Sequence, residues 1–145
     1  MASFLYDNAK KLLMNGGLDL DTHDIRIALV MSNTTADTED TKTTISGGTG
    51  FTTLDEMDGA GYARVALTTE AVTDSGTYGK FDADDVTFTS VSAGTRSVTG
   101  ALIFRFITND TDNVPIAYID FGGDFAANGS NIVITWSATG IINLT

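Results

Sequence analysis

The chain has no cysteine, one proline, one histidine and few basic residues. Without cysteine there is no thiol nucleophile, disulfide framework or cysteine-based zinc site. Eight Lys and Arg face 19 Asp and Glu, and the formal charge of −11 repels phosphate backbones and anionic lipid surfaces. We therefore expect neither a nucleic-acid nor a membrane partner.

Long apolar runs and a basic leader are also missing. Residues 1–15, MASFLYDNAKKLLMN, lack a basic stretch ahead of an apolar core, and no apolar run approaches the roughly 18 residues of a membrane span. This pattern predicts synthesis in the cytoplasm without a signal peptide. The 145 residues suit one domain, spanning 1–145, which can bury a core unaided.

One helix is predicted, at about residues 4–15. Leu5, Ala9, Leu12 and Leu13 recur on one helical face, Ser3 is available as the N-cap, and Gly16 and Gly17 end the helix. Alternating apolar residues follow in IRIALV and in several later runs spaced by acidic and Gly/Asn-rich turns. The prediction is a mainly β fold, an antiparallel β-sandwich of roughly seven or eight strands with jelly-roll or Greek-key-like connections.

Residues 32–58 differ from the rest of the chain. They are rich in Thr, Asp and Gly and poor in large apolar residues. Such a composition buries too little area to offset its ordering entropy, so it predicts an exposed, flexible loop. Loops of this length are often functional, and deletion of residues 34–50 is expected to leave the domain folded.

Candidate chemistry is sparse. His23 is the sole imidazole, and no G-x-S-x-G motif accompanies it, so a surface turn is favoured over catalysis. Gly47, Gly48 and Gly50 lack the G-K-[ST] of a phosphate-binding loop. Aromatic residues within apolar runs are assigned to the core rather than to an exposed binding stripe: Phe104, Phe106, Tyr118, Phe121 and Trp136.

Two acidic clusters are the metal candidates. Their carboxylates, hard oxygen ligands of the kind that calcium takes, are Asp82, Asp84, Asp85, Asp110 and Asp112. Neither cluster fits an EF-hand loop, so solvated turns are favoured over a calcium site. A glycan hydrolase using Asp84 or Asp120 has no local motif in its favour, and no cofactor is predicted.

Several sequence blocks resemble small virion proteins of tailed bacteriophages, the head-decoration or cement proteins. They comprise Asn15-Gly16-Gly17 with 19–24 and IRIALV, 54–67 (LDEMDGAGYARVAL), 81–88 (FDADDVTF), 93–104 (AGTRSVTGALIF), 108–125 (TNDTDNVPIAYIDFGGDF) and 134–141 (ITWSATGI). The resemblance implies a non-enzymatic protein on the outer surface of the capsid. It implies the major capsid protein as partner and a homo-oligomer, trimer or dimer, on the shell.

Other roles stay open at this point. Chains of similar size and β content serve as tail-tube or connector subunits. A host- or glycan-binding module of a head or tail fibre would also be β-rich and acidic, and it could use Trp136 or a calcium ion to hold a sugar.

Overall fold

The fold is mainly β, with one short helix near the N-terminus. The structure is a computed structural model that describes residues 2–145. Its elements are β1 (Phe4–Leu5), α1 (Asp7–Asn15), β2 (Ile25–Met31), β3 (Val65–Ala66), β4 (Ala71–Asp74), β5 (Gly79–Asp82), β6 (Val86–Phe88), β7 (Val98–Arg105), β8 (Val114–Phe125), β9 (Ile132–Ile134) and β10 (Ile142–Leu144). All strand pairs are antiparallel, and the predicted fold class is confirmed.

The largest sheet has five strands in the order β1-β8-β7-β2-β3. Ile27, Ala28 and Leu29 are consecutive in β2 and all fully buried, so this central strand is covered on both faces. Pro115, at the second position of β8, lies where the β7–β8 register shifts, a position at which a missing N–H is tolerated. The sheet therefore forms the centre of the molecule.

Two smaller sheets complete the sandwich-like packing. Their strand orders are β10-β5-β4 and β6-β9. Phe81, Phe88 and Ile142 of these sheets belong to the same buried cluster as the side chains of β2, β7 and β8. The described residues hold ten strands rather than seven or eight, because β1 and β3 have only two residues each and show no period in the sequence.

The helix begins later than predicted. Phe4 and Leu5 pair with Tyr118 and Ala117 of β8, so they extend the sheet and α1 starts at Asp7. Ser3 is not the N-cap, since its Oγ accepts a hydrogen bond from the Asp120 backbone N–H. The edge of β8 offers these residues backbone hydrogen bonds that an isolated helix prediction does not include. The predicted end is confirmed, with Gly16 at φ +75°.

Residues 32–58 contain no helix or strand, as expected of a loop, but they are not exposed throughout. Ala36, Ile45, Phe51 and Met57 are buried in the core cluster. The Tyr6 hydroxyl donates a hydrogen bond to the Ala36 carbonyl. The prediction of an exposed loop is wrong at these four positions, because scattered apolar residues can anchor an irregular segment when they are buried in the core.

Candidate docking surface

An open apolar groove lies between the end of α1 and the sheet β10-β5-β4. Its volume is about 470 Å³. It is lined by Leu13, Gly16, Leu18, Asp19, Leu20, Asp21, Val72, Gly79, Lys80, Phe81, Ile142 and Leu144. Most of these are aliphatic or aromatic, and such concave apolar surfaces are typical of binding sites.

The alternation of side chains along three short strands builds the floor of the groove. Val72, Phe81 and Ile142 are opposite one another in the strand register. Because successive side chains alternate between faces, all three lie on the face that meets the groove. Their neighbours along the strands are mostly polar, and of these only Lys80 also lines the groove: Thr73, Lys80, Asp82 and Asn143. The small sheet is thus amphipathic, with its apolar face only partly covered.

The turn after α1 forms the opposite wall. Gly16 adopts a left-handed conformation, and the Gly17 N–H donates to the Leu12 carbonyl. A Cβ at Gly17 would lie 2.9 Å from the end of the Leu12 side chain, which would have to shift to admit a larger residue. Leu18 and Leu20 follow this turn, and both are buried.

The rim of the groove leaves apolar side chains open to solvent. Val72 is 50% exposed, Leu144 51% and Met14 83%. A second apolar opening, lined by Leu5, Lys10, Leu13, Met14 and Leu144, continues the groove along α1. Single exposed apolar residues are ordinary, but contiguous ones beside a groove mark an interaction surface.

The charge on the rim is negative. Asp19 and Asp21 form a carboxyl pair in which their mutual hydrogen bond lowers the pKa of Asp19 and raises the pKa of Asp21. The two lysines nearby carry their own counter-ions, Lys80 at 3.0 Å from Asp82 and Lys10 at 2.8 Å from Asp7. Among the residues that line the groove, the charges without an ion-pair partner are therefore the carboxylates of Asp19 and Asp21.

Most basic side chains elsewhere in the chain are also paired with carboxylates. Six of the eight basic side chains form ion pairs with carboxylates: Lys10, Arg26, Lys42, Arg64, Lys80 and Arg96. Since their charges are neutralised within the chain, the excess of Asp and Glu dominates the field outside it.

The first predicted acidic cluster is divided among separate partners. Asp82 pairs with Lys80, and Asp84 accepts a hydrogen bond from the Thr69 hydroxyl at 2.6 Å. Asp85 accepts one from the Trp136 backbone N–H. Each carboxylate thus stabilises a different turn, and the structure does not bring the three together around one point.

The second cluster is divided in the same way. Asp110 binds the guanidinium of Arg64, which lowers the pKa of the Asp110 carboxyl. Asp112 accepts hydrogen bonds from Thr108 and Asn109 within its own turn. Over residues 2–145, no three His, Cys, Asp or Glu side chains are placed to hold a metal ion.

The remaining candidates for chemistry have structural partners. His23 lies in the turn before β2, and its Nδ1 accepts a hydrogen bond from the Asp19 N–H. The glycine cluster makes a tight turn, in which Gly50 donates to the Gly47 carbonyl and a Cβ at Gly50 would lie 2.3 Å from Ser46. Gly50 thus permits a close backbone approach and Gly47 takes a left-handed conformation at φ +84°, so the turn itself requires two of the three glycines.

The predicted core aromatics divide into two groups. Phe104 and Tyr118 are fully buried, whereas Phe106, Phe121 and Trp136 pack against the core with part of each ring exposed. The Trp136 indole N–H donates to the Asp84 carbonyl. That donor is therefore engaged within the chain.

Sequence reasoning missed the groove. Its floor comes from short strands, such as AVTD and INL, in which only one or two apolar residues alternate with polar ones. One sequence signal was available. Met14 is a large apolar residue on a short helix, and Ala9, Leu12 and Leu13 already supply the face that packs against the core.

Comparisons with known proteins identify no relative. No protein-family model matches the chain, and searches of curated proteins and of solved structures return no match. Among the described residues, no helix has the length and hydropathy needed to cross a membrane.

Proposed function

We propose that this chain is a non-enzymatic structural protein of a tailed-bacteriophage virion that binds the outer surface of the head shell and stabilises it. The proposal combines the family resemblance of the sequence blocks with one structural observation, the open apolar groove beside α1. The major capsid protein is the proposed partner, bound by many copies of this chain. The chain itself forms a trimer or dimer on the shell.

The physical basis is additive binding on a lattice. A protein that binds the assembled shell and not its separated subunits stabilises the shell by mass action. Because the same site recurs over the surface, a modest interface at each position sums to a large effect on the closed particle. A β domain with an acidic surface and one uncovered apolar groove is suited to this task, since acidic surfaces keep free copies from aggregating and repel packaged nucleic acid.

The test is to locate the chain on intact particles with a labelled antibody. Label distributed over the head is expected. Label confined to a tail, connector or fibre tip would replace the proposal with one of those virion roles, and particles without label would overturn it.

A stability assay separates a cement role from passive attachment. Heads stripped of the chain are expected to release their genome at a lower temperature than intact heads, and re-addition of the purified chain is expected to restore the difference. Equal release temperatures would contradict the stabilising role.

A further inference from the structure

We infer that the groove beside α1 binds a segment of the shell subunit in which one large apolar side chain is flanked by a lysine or arginine. This inference rests on the proposed function and names the site and the chemistry of the contact. Three features of the groove carry it: its volume and apolar lining, its acidic rim and the empty space above Gly79.

The groove has the size and lining of an anchor site. Its volume of about 470 Å³ lies within the roughly 300–1,000 Å³ typical of ligand pockets. Gly79 and Phe81 are two apart in β5 and so share one face, and a Cβ added at Gly79 meets no atom within 4 Å. Filling such a space with an apolar side chain covers the exposed parts of Leu144 and Val72 and adds contacts to the already buried Phe81, which is how anchor residues dominate protein interfaces.

The charge of the rim selects the flanking residue. Asp19 and Asp21 line the groove, while Lys80 is neutralised by Asp82. A cationic residue next to the apolar anchor would complement the two carboxylates and favour the correct partner.

Charge also argues against other occupants. A second copy placed symmetrically on this groove would bring two acidic rims together, and such like-charge juxtaposition opposes association. Anionic lipid or nucleic acid is repelled by the same carboxylates. A segment of another protein that carries an apolar and a basic residue complements both the apolar floor and the acidic rim of the groove.

The test measures binding of the purified chain to head shells that lack it, by co-sedimentation. Gly79→Trp fills the groove and is expected to weaken binding at least tenfold, whereas Gly123→Trp, at another open and unstrained glycine, should leave it unchanged. Leu144→Ser, at a half-exposed side chain, removes apolar area without changing the charge and is a second groove variant for the case in which Gly79→Trp lowers the melting temperature.

The charge arm uses Asp19→Asn with Asp21→Asn. This double variant should bind severalfold more weakly at low salt, and its binding should depend less on salt than that of the unchanged chain, because screening acts on the rim charges. If the double variant and the unchanged chain bind with equal affinity and equal salt dependence, the inference of a lysine or arginine beside the apolar anchor is wrong.

The two proposals fail in different ways. If the unchanged chain does not bind the shells, the proposed function is wrong. If it binds and folded Gly79→Trp and Leu144→Ser bind as well as it does, the function stands and the groove is not the contact.

Discussion

Arg64 and Asp110 form a bidentate ion pair across 46 positions of the sequence, with Nη1–Oδ1 at 2.6 Å and Nη2–Oδ2 at 2.7 Å. The same guanidinium binds both carboxylate oxygens of Glu56, at 2.8 and 2.6 Å. Glu56 also accepts a hydrogen bond from the Tyr62 hydroxyl, which in turn accepts one from the Leu29 N–H. One side chain therefore ties the end of the long loop and the β7–β8 turn to the central strand.

Removing this guanidinium is expected to destabilise the fold strongly. Arg64 is only 23% exposed, so Arg64→Ala leaves two carboxylates partly buried without their cation. We expect a loss of about 2–3 kcal/mol in the free energy of unfolding, somewhat less than for a fully buried pair that loses one partner, because the three side chains are partly exposed. Urea denaturation measures it.

Arg26 offers a matched control. It also makes a bidentate pair, with Asp24, and lies 3.7 Å from the Phe106 ring centroid, but that pair is more exposed and joins residues two apart. Arg26→Ala is expected to cost about 1 kcal/mol or less. Equal losses for the two variants would contradict the special role of Arg64.

Acid should weaken the fold partly through Glu39. Burial raises the pKa of this carboxyl, but hydrogen bonds from Thr35 and Thr52 and the nearby Lys42 outweigh that effect and lower it from 4.5 to about 2. A group whose pKa is lower in the folded state adds stability above its unfolded value, and that stability is lost as pH falls through the folded value. The contribution of Glu39 is therefore expected to disappear between about pH 4.5 and pH 2.

Glu39→Gln tests this directly. The variant should be less stable than the unchanged chain at pH 7, and the difference should shrink at pH 3 and below, as measured by urea denaturation at each pH. A difference that stays constant with pH would show that the ionised carboxylate is not the source of the stability.

The long loop is expected to be necessary for folding. Ile45 is buried, and its backbone N–H donates to the carbonyls of Asp110 and Asn113. Ile45→Ala should cost roughly 2–5 kcal/mol, the usual range for a large core side chain. Ile107→Ala, at a side chain that is 42% exposed, should cost much less and serves as the control.

Deletion of residues 34–50 should consequently unfold the domain. It removes Ala36, whose carbonyl accepts the Tyr6 hydroxyl, together with Ile45. The sequence-based expectation that the domain tolerates this deletion loses its basis. Circular dichroism of the shortened chain tests this prediction. A cooperative melting transition like that of the full chain would show that the domain tolerates the deletion.

Calcium is expected to leave the stability unchanged. The five candidate carboxylates are engaged in separate turns or ion pairs. A ligand present at 100 times its dissociation constant would add about 2.7 kcal/mol. Thermal melting in calcium, with magnesium at equal ionic strength as the control, should show no calcium-specific shift, and a rise in melting temperature with calcium alone would revive the metal site.

Local sequence patterns predicted the elements that depend on local interactions. The helix end at Gly16 follows from a residue that adopts φ +75° without steric cost. The central strands follow from apolar runs such as IRIALV, because a strand covered on both faces requires apolar residues in succession. These signals lie within a few residues of one another and can be read without knowing the neighbours.

Features that join distant parts of the chain were not predictable in the same way. Phe4 pairs with Tyr118, so a strand replaces the expected first turn of the helix. Arg64 forms its ion pair with Asp110, which is one of many carboxylates in the chain. The carboxylates of each predicted acidic cluster are close in sequence, but their side chains bind different partners in the fold.

The sequence by itself determined a Cys-free, acidic, mainly β chain with one short helix, since composition and local periodicity depend only on residues close in sequence. The tertiary structure decided the anchoring of residues 32–58, the division of the carboxylates and the position of the groove. The physical reason is that each of these depends on which surfaces meet after folding. Val72, Phe81 and Ile142 form a common floor only because β4, β5 and β10 pair in one register.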